Sequence, residues 1–150
     1  MKRTFLLAAG IFSCLFLNAQ SSADFVRSWE KGPDWLKDGV IYQVYPSSYK
    51  DSDGNGIGDI RGVISKLDYI ESLGVRAIWF NPLFVSGWID GGYDVIDFYR
   101  VDPRFGTNND LVELIEKAHA RGIKVMLDLV AGHTSDKHPW FLQSAQDSNV

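Results

Sequence analysis

Three apolar runs, each followed by polar, glycine-rich sequence, set the rhythm of this chain. The first, Val40-Ile41-Tyr42-Gln43-Val44-Tyr45, is nearly all apolar and rich in β-branched and aromatic residues. It predicts a strand buried on both faces. From Ile60 to Leu73 the period becomes helical, with Val63, Ile64, Leu67, Ile70 and Leu73 on one stripe. Gly74 comes next as the C′ residue. Val75-Arg76-Ala77-Ile78-Trp79-Phe80 reads as a second strand, and a long loop, Asn81 to Phe105, carries Pro, Gly, Asp and aromatics. Thr107 or Asn108 caps a second helix with Leu111, Leu114, Ile115 and Ala118 on its buried face. Gly122 closes that helix, and Lys124 to Val130 is the third strand.

The stretches SLGVRAIWF and ARGIKVMLD both run from helix end through Gly and a β-branched residue into an apolar strand. This β-α-β-α-β order with right-handed crossovers makes a parallel sheet. It fits either an open doubly wound sheet or a (β/α)8 barrel. No G-x-G-x-x-G follows the first strand, which counts against a dinucleotide-binding sheet. A complete barrel takes ~250 residues, so three strands read as the N-terminal portion of a larger α/β protein. The unusual chemistry follows the strands: an acidic loop, an aromatic loop and the segment DLVAGH. In parallel α/β folds that rim carries the active site.

The N-terminus changes the picture of where the protein works. Lys2 and Arg3 precede an uncharged run from Phe5 to Leu17, and Ala19 offers a small residue before Gln20. Residues 1–19 therefore read as a secretory signal peptide, and the protein as exported to a periplasm or the extracellular space. The run falls short of the ~20 residues of a membrane span. Lipid attachment at Cys14 is disfavoured, because the apolar run continues past it. Residues 20–34 read as a leader and 35–150 as the N-terminal part of the larger α/β domain. Cys14 is the only cysteine, so cleavage leaves no disulfide and no thiol chemistry. The formal charge of −4 becomes more negative once Lys2 and Arg3 leave. An acidic balance without a basic patch argues against nucleic acid or an anionic membrane as partner. Five Trp, six Tyr and nine Phe are many for this length. Those in loop-like sequence (Trp88, Tyr93, Trp140) read either as a binding surface or as lids over a core edge.

The stretch DSDGNGIGD, Asp51 to Asp59, alternates oxygen-bearing side chains with small residues, as loops around calcium do. Counted as an EF-hand, Asp51, Asp53 and Asn55 take positions 1, 3 and 5, Gly56 the sharp turn, Ile57 the carbonyl position and Asp59 position 9. The bidentate Glu of position 12 is missing, because Gly62 stands there. A calcium loop in another fold accounts for the pattern; a metal-free Asx-rich turn is the competing reading. His133, Asp136 and His138 lack the helical frame of a metal cluster.

The stretch GVIYQVYPSSYKDSDGNGIGDIRGVISKLDYIESLGVRAIWFNPLF resembles the opening of glycoside hydrolase family 13, the α-amylase family, and most of all its oligo-1,6-glucosidase and α-glucosidase branch. GGYDVIDFYRVDPRFGT and DLVAGHTSDKHPWF match further blocks in the right order, from about Trp35 to Phe141. The resemblance implies a (β/α)8 barrel and a secreted hydrolase that cleaves α-glucosidic bonds of α-glucans or α-gluco-oligosaccharides with retention. It implies calcium held by Asp51, Asp53, Asn55, the Ile57 carbonyl and Asp59. Tyr93 matches the aromatic platform beneath the sugar and His133 a histidine that hydrogen-bonds that sugar. Asp90 matches an acid that holds the non-reducing end in exo-acting members, and Asp128 an aspartate that supports the site. As bare residues, Tyr93 reads equally as an edge-of-core tyrosine, His133 as a structural histidine and the sequence around Asp90 as a turn. Gly132 stands where the family usually has Asn, a ligand of a second calcium in many members. The family's reacting carboxylates fall beyond Val150, so the chain by itself is expected to be inactive. A non-catalytic glucan-binding protein on the same barrel is the alternative.

Overall fold

The computed structural model describes residues 32–146 of the 150. The expected signal peptide and nearly all of the leader lie outside that range. The chain divides at Asp38/Gly39 into two units. Of the first, the described part is a single helical turn, α1 (Asp34–Lys37), entered from Pro33.

The second unit, from Gly39 on, holds the three expected strands: β1 (Ile41–Val44), β2 (Ala77–Phe80) and β5 (Lys124–Leu127). They form one parallel sheet in the order β1-β2-β5. Tyr42, Ile78 and Val125 stand in one row, and Val44, Phe80 and Leu127 in another. These side chains share a face with the helices, and Val44, Ile78 and Phe80 are wholly buried there with Ile60, Val63, Ile70 and Leu114. Burying such a side chain contributes roughly 1.5–3 kcal/mol, so this face holds the unit together.

The other face carries Ile41, Gln43, Ala77, Trp79, Lys124 and Met126. Burial of β1 on both faces, expected from its apolar run, is not found: Ile41 and Gln43 are exposed. The helices pack on the opposite face, and β1 is the edge of this three-stranded sheet.

After β1 come a short turn of helix, α2 (Pro46–Tyr49), and the acidic loop. The helix expected from Ile60 to Leu73 is broken in two, α3 (Ile60–Ile64) and α4 (Leu67–Ser72). At the break Ser65 donates its hydroxyl to the Gly62 carbonyl at 2.6 Å, and the Lys66 N–H bonds one residue short, to Val63. A serine bonding back to the preceding turn bends a helix, and the tighter step rotates α4 relative to α3. Leu67 and Ile70 remain buried, whereas Leu73, expected on the buried stripe, is exposed.

The long loop expected from Asn81 to Phe105 contains an antiparallel hairpin, β3 (Phe84–Ser86) with β4 (Val95–Val101). Its pairing is irregular, with register shifts on both sides of Val85. A three-residue strand beside a bulged partner leaves little periodic signal. Helix α5 (Asn108–Ala120) is capped by Thr107, whose hydroxyl and N–H exchange bonds with Asp110 in a capping box. Asn108 does other work: its side chain bonds the Val101 N–H and the Tyr99 carbonyl and fastens the end of β4. Arg61 reaches from α3 to buried Asp110 at 2.6 Å. The third strand ends at Leu127 rather than Val130, and α6 (Pro139–Gln146) comes after it. Among the described residues no helix is long and apolar enough to cross a membrane.

Candidate functional site

The acidic loop is built almost entirely from its own neighbours. Asp51 accepts the backbone N–H groups of Asp53, Gly54 and Gly56 at 3.1, 2.7 and 2.8 Å. Those bonds, from Gly56 and Gly54 first, hold its carboxyl below the usual range. Asp59 caps α3 by accepting from the Gly62 N–H at 2.7 Å, and it also accepts the Ser52 N–H and hydroxyl. Burial pushes its carboxyl up, but the bonds from Ser52 and Gly62 outweigh that, and the net direction is down. Asn55 accepts from the Ile57 N–H and donates to Asp53.

The result is a convergence of like charges. Asp51, Asp53 and Asp59 each offer an oxygen within 4.8 Å of the others. Three carboxylates so close together suit a hard divalent cation, and the set of oxygen donors fits calcium. The residue that separated this loop from an EF-hand has a steric reason as well. A Cβ on Gly62 would lie 1.9 Å from the Lys50 carbonyl oxygen. No side chain fits there, so no Glu could stand at that position.

The second group gathers at the C-terminal ends of the strands. Gln43 comes from β1, Asn81 directly follows β2, Asp128 directly follows β5, and Tyr93 descends from the tip of the hairpin. The Tyr93 hydroxyl donates to Asp128 Oδ2 at 2.7 Å. Asn81 Nδ2 donates to the same hydroxyl at 3.2 Å, and Gln43 Nε2 donates to Asn81 Oδ1 at 3.0 Å. The bond to Asp128 raises the phenol's pKa above its ordinary value, burial adds to this, and Asn81 opposes it. His133 Nε2 lies 3.1 Å from the Tyr93 carbonyl oxygen. With Nε2–H donating there, Nδ1 of the neutral ring is left as an acceptor.

Asp90 sits at the hairpin tip, exposed, and its Oδ1 accepts the Asp94 N–H at 2.7 Å. The tip is anchored through Trp88, which has a positive φ of 58°. Its indole N–H donates to buried Asp102 at 3.0 Å, Arg104 lies 3.9 Å over its ring, and Phe105 meets it edge-on. Trp88 is thus a lid over the core edge. Trp140 is exposed beside His138 and Phe98. It lines an open apolar groove of ≈ 610 Å³ with Phe98, Leu129 and Phe141, which His133 borders and Tyr93 and Asp128 do not.

Tyr93, His133 and Asp128 are therefore brought together, Asp90 stands on the same loop as Tyr93, and the acidic loop is a separate cluster. Gln43 and Asn81 went unnoticed in the sequence. Their signal was there: each is a polar residue in or just after an apolar run.

The alpha-amylase catalytic-domain family matches residues 43–150. An oligo-1,6-glucosidase of Heyndrickxia coagulans is 48% identical over 116 residues, 77% of this chain and 21% of that protein. A trehalose-6-phosphate hydrolase of Escherichia coli K12 is 50% identical over 112 residues, 75% of this chain and 20% of the relative. Among solved structures, the trehalose-6-phosphate hydrolase of Bacillus licheniformis superposes with a TM-score of 0.76 at 50% identity, covering 78% of this chain and 21% of that one. The isomaltulose synthase of Klebsiella sp. LX3 does so with a TM-score of 0.76 at 47% identity, covering 79% and 21%. The chain spans about a fifth of the length of these relatives. Its three parallel strands and their helices match the N-terminal part of the family's TIM barrel. The chain belongs to the α-amylase family of glycoside hydrolases, in its oligo-1,6-glucosidase branch.

Proposed function

We propose that the whole protein is an exported glycosidase that hydrolyses α-glucosidic bonds of short gluco-oligosaccharides with retention of configuration. The observation that carries this reading is the strand-end cluster, in which Asp128 fixes the Tyr93 phenol beside His133 and Asp90. An aromatic face suits the apolar C–H face of a pyranose. His133 keeps a ring nitrogen to meet a sugar hydroxyl, and the exposed carboxylate of Asp90 can accept from hydroxyls at the non-reducing end. Asp128 holds the platform and does not meet the scissile bond. Retention requires two carboxyl groups about 5 Å apart, one nucleophile and one acid/base, and we assign both to sequence beyond Val150. Calcium would be held by Asp51, Asp53, Asn55, the Ile57 carbonyl and Asp59, and it would neutralise their converging charge. Export rests on the charged, apolar and small-residue pattern of residues 1–19.

The test is hydrolysis by the full-length protein of maltose, isomaltose, sucrose, trehalose-6-phosphate and soluble starch, with product anomers followed by NMR. Release of α-glucose first from a short substrate supports the reading. Glucan binding without turnover of any substrate would point to the non-catalytic alternative, and first release of the β-anomer would exclude retention. Asp90→Ala should raise KM for short substrates more than for starch.

A further inference from the structure

We propose that Gln43 and Asn81 are positioning residues that set the direction of the hydrogen bonds at the Tyr93 hydroxyl and thereby hold its ring for the sugar; this rests on the glycosidase reading above. A side-chain amide has an oxygen that only accepts and a nitrogen that only donates. Gln43 Nε2 claims the Asn81 oxygen at 3.0 Å. The planar amide must then turn its nitrogen toward Tyr93, and Nδ2 lies 3.2 Å from the phenol oxygen. Receiving that proton, the phenol spends its own on Asp128 Oδ2 at 2.7 Å. Asp128 as a carboxylate accepts only, so the chain runs one way, from Gln43 through Asn81 and Tyr93 to Asp128.

This chain ties together the ends of all three parallel strands and the hairpin tip. Two partners on one phenol oxygen pin the far end of the ring and so limit the swing of the whole side chain about χ1. The ring face would be set before sugar arrives, without either amide touching substrate. The place of Gln43 supports a role beyond packing. The rest of β1 is aliphatic or aromatic, and Gln43 is its only amide.

Two swaps of equal size test the direction of the chain. Asn81→Asp replaces the donor to Tyr93 by an acceptor. Gln43→Glu acts one residue further away: its carboxylate draws the Asn81 nitrogen round and leaves the Asn81 oxygen facing Tyr93. The first readout is the titration of Tyr93 in the full-length protein, followed by NMR of 13Cζ-labelled tyrosine and assigned with Tyr93→Phe. The charged groups acting on this phenol are Asp128 and Asp90, with the His133 ring beside it, and each swap adds a carboxylate to them. Loss of the Asn81 donor withdraws support from the phenolate, so Tyr93 should titrate at higher pH in both variants, more so in Asn81→Asp. The second readout is kcat/KM for a short α-glucoside, expected to fall about tenfold, mainly through KM, because a platform holds ground and transition states alike.

Each added carboxylate also disfavours the phenolate by charge alone, so Gln43→Met, which keeps the size and removes the donor without adding charge, is the deciding variant. A role confined to packing would leave the Tyr93 titration of Gln43→Met where it is, and that result overturns the proposal, as does an unchanged kcat/KM beside a moved titration. Should Asn81→Asp fail to fold, Gln43→Met carries the test alone. Absence of any α-glucoside turnover by the unmodified protein would defeat the glycosidase reading instead, and the Tyr93 titration would still decide the hydrogen-bond chain.

Discussion

The acidic loop and the strand-end cluster are both nets of carboxylates and amides, but they are assembled over different lengths of chain. In the loop, the side-chain bonds of Asp51, Asp53, Asn55 and Asp59 to their partners span at most seven residues. In the cluster, the bonds from Gln43 to Asn81 and from Tyr93 to Asp128 span 38 and 35 residues. A local net can form wherever its own turns form. A distant one exists only when β1, β2 and β5 are in register and the hairpin is closed. Damage to the loop should therefore appear as local strain and lost capping, and damage to the cluster as lost function with the fold retained.

The largest expected effect tests that contrast at Gly62, where the start of α3 meets the backbone before the loop. Gly62→Ala puts a methyl group 1.9 Å from the Lys50 carbonyl oxygen. Backbone must move, at a cost of about 3 kcal/mol, measured as a shift in the urea midpoint at constant slope. Gly54, at a positive φ of 83° with nothing near its missing Cβ, gives the comparison. Gly54→Ala should cost about 1 kcal/mol from backbone strain alone. Equal costs for the two would refute the close-packing account of Gly62.

Without calcium, a smaller effect is expected at Asp59, which caps α3 and offers an oxygen to the converging carboxylates. Asp59→Ala should cost about 1–2 kcal/mol as a lost cap, with or without calcium. It should also abolish the stabilisation by calcium, which at a hundredfold excess over Kd is about 2.7 kcal/mol for the parent. Thermal unfolding in EGTA and in calcium separates the two parts. An unchanged response to calcium in the variant would remove Asp59 from the ligand set.

The smallest effects should distinguish the two regions by pH. Asp51 and Asp59 have folded pKa values below the ordinary carboxylate value. Their contribution is fully present above that value, near 4, and is lost as pH falls through the lower folded values. Tyr93 is shifted upward, chiefly by its bond to Asp128. Its contribution is present below the ordinary tyrosine value, near 10, and is lost as pH rises through the raised folded value. Asp51→Asn should flatten the acid limb of stability and Tyr93→Phe the alkaline limb. A crossed result would show that the assignments are wrong.

Much of the fold was legible because its cause is local. Periodicity located all three parallel strands and both crossover helices, since burial on one face writes a repeat into the chain. It missed the break at Ser65, where one hydroxyl bonding back to Gly62 changes the helix without altering the apolar pattern. It missed the hairpin, because a three-residue strand cannot show alternation and its bulges spoil the partner's register. The described residues leave Ile41 and Gln43 of β1 uncovered, because an apolar run reports what a strand prefers and not what covers it.

The same division runs through the candidate site. By itself the sequence determined the acidic loop, down to the oxygen-bearing positions and the glycine that excludes an EF-hand, because spacing along the chain is the geometry of a turn. It also carried the family blocks that hold Asp90, Tyr93, Asp128 and His133. Only the tertiary structure decided that Tyr93 bonds Asp128, that Gln43 and Asn81 stand behind that bond, and that Trp88 covers the core edge. Those contacts join residues that share no local period, and parallel register is what brings them together.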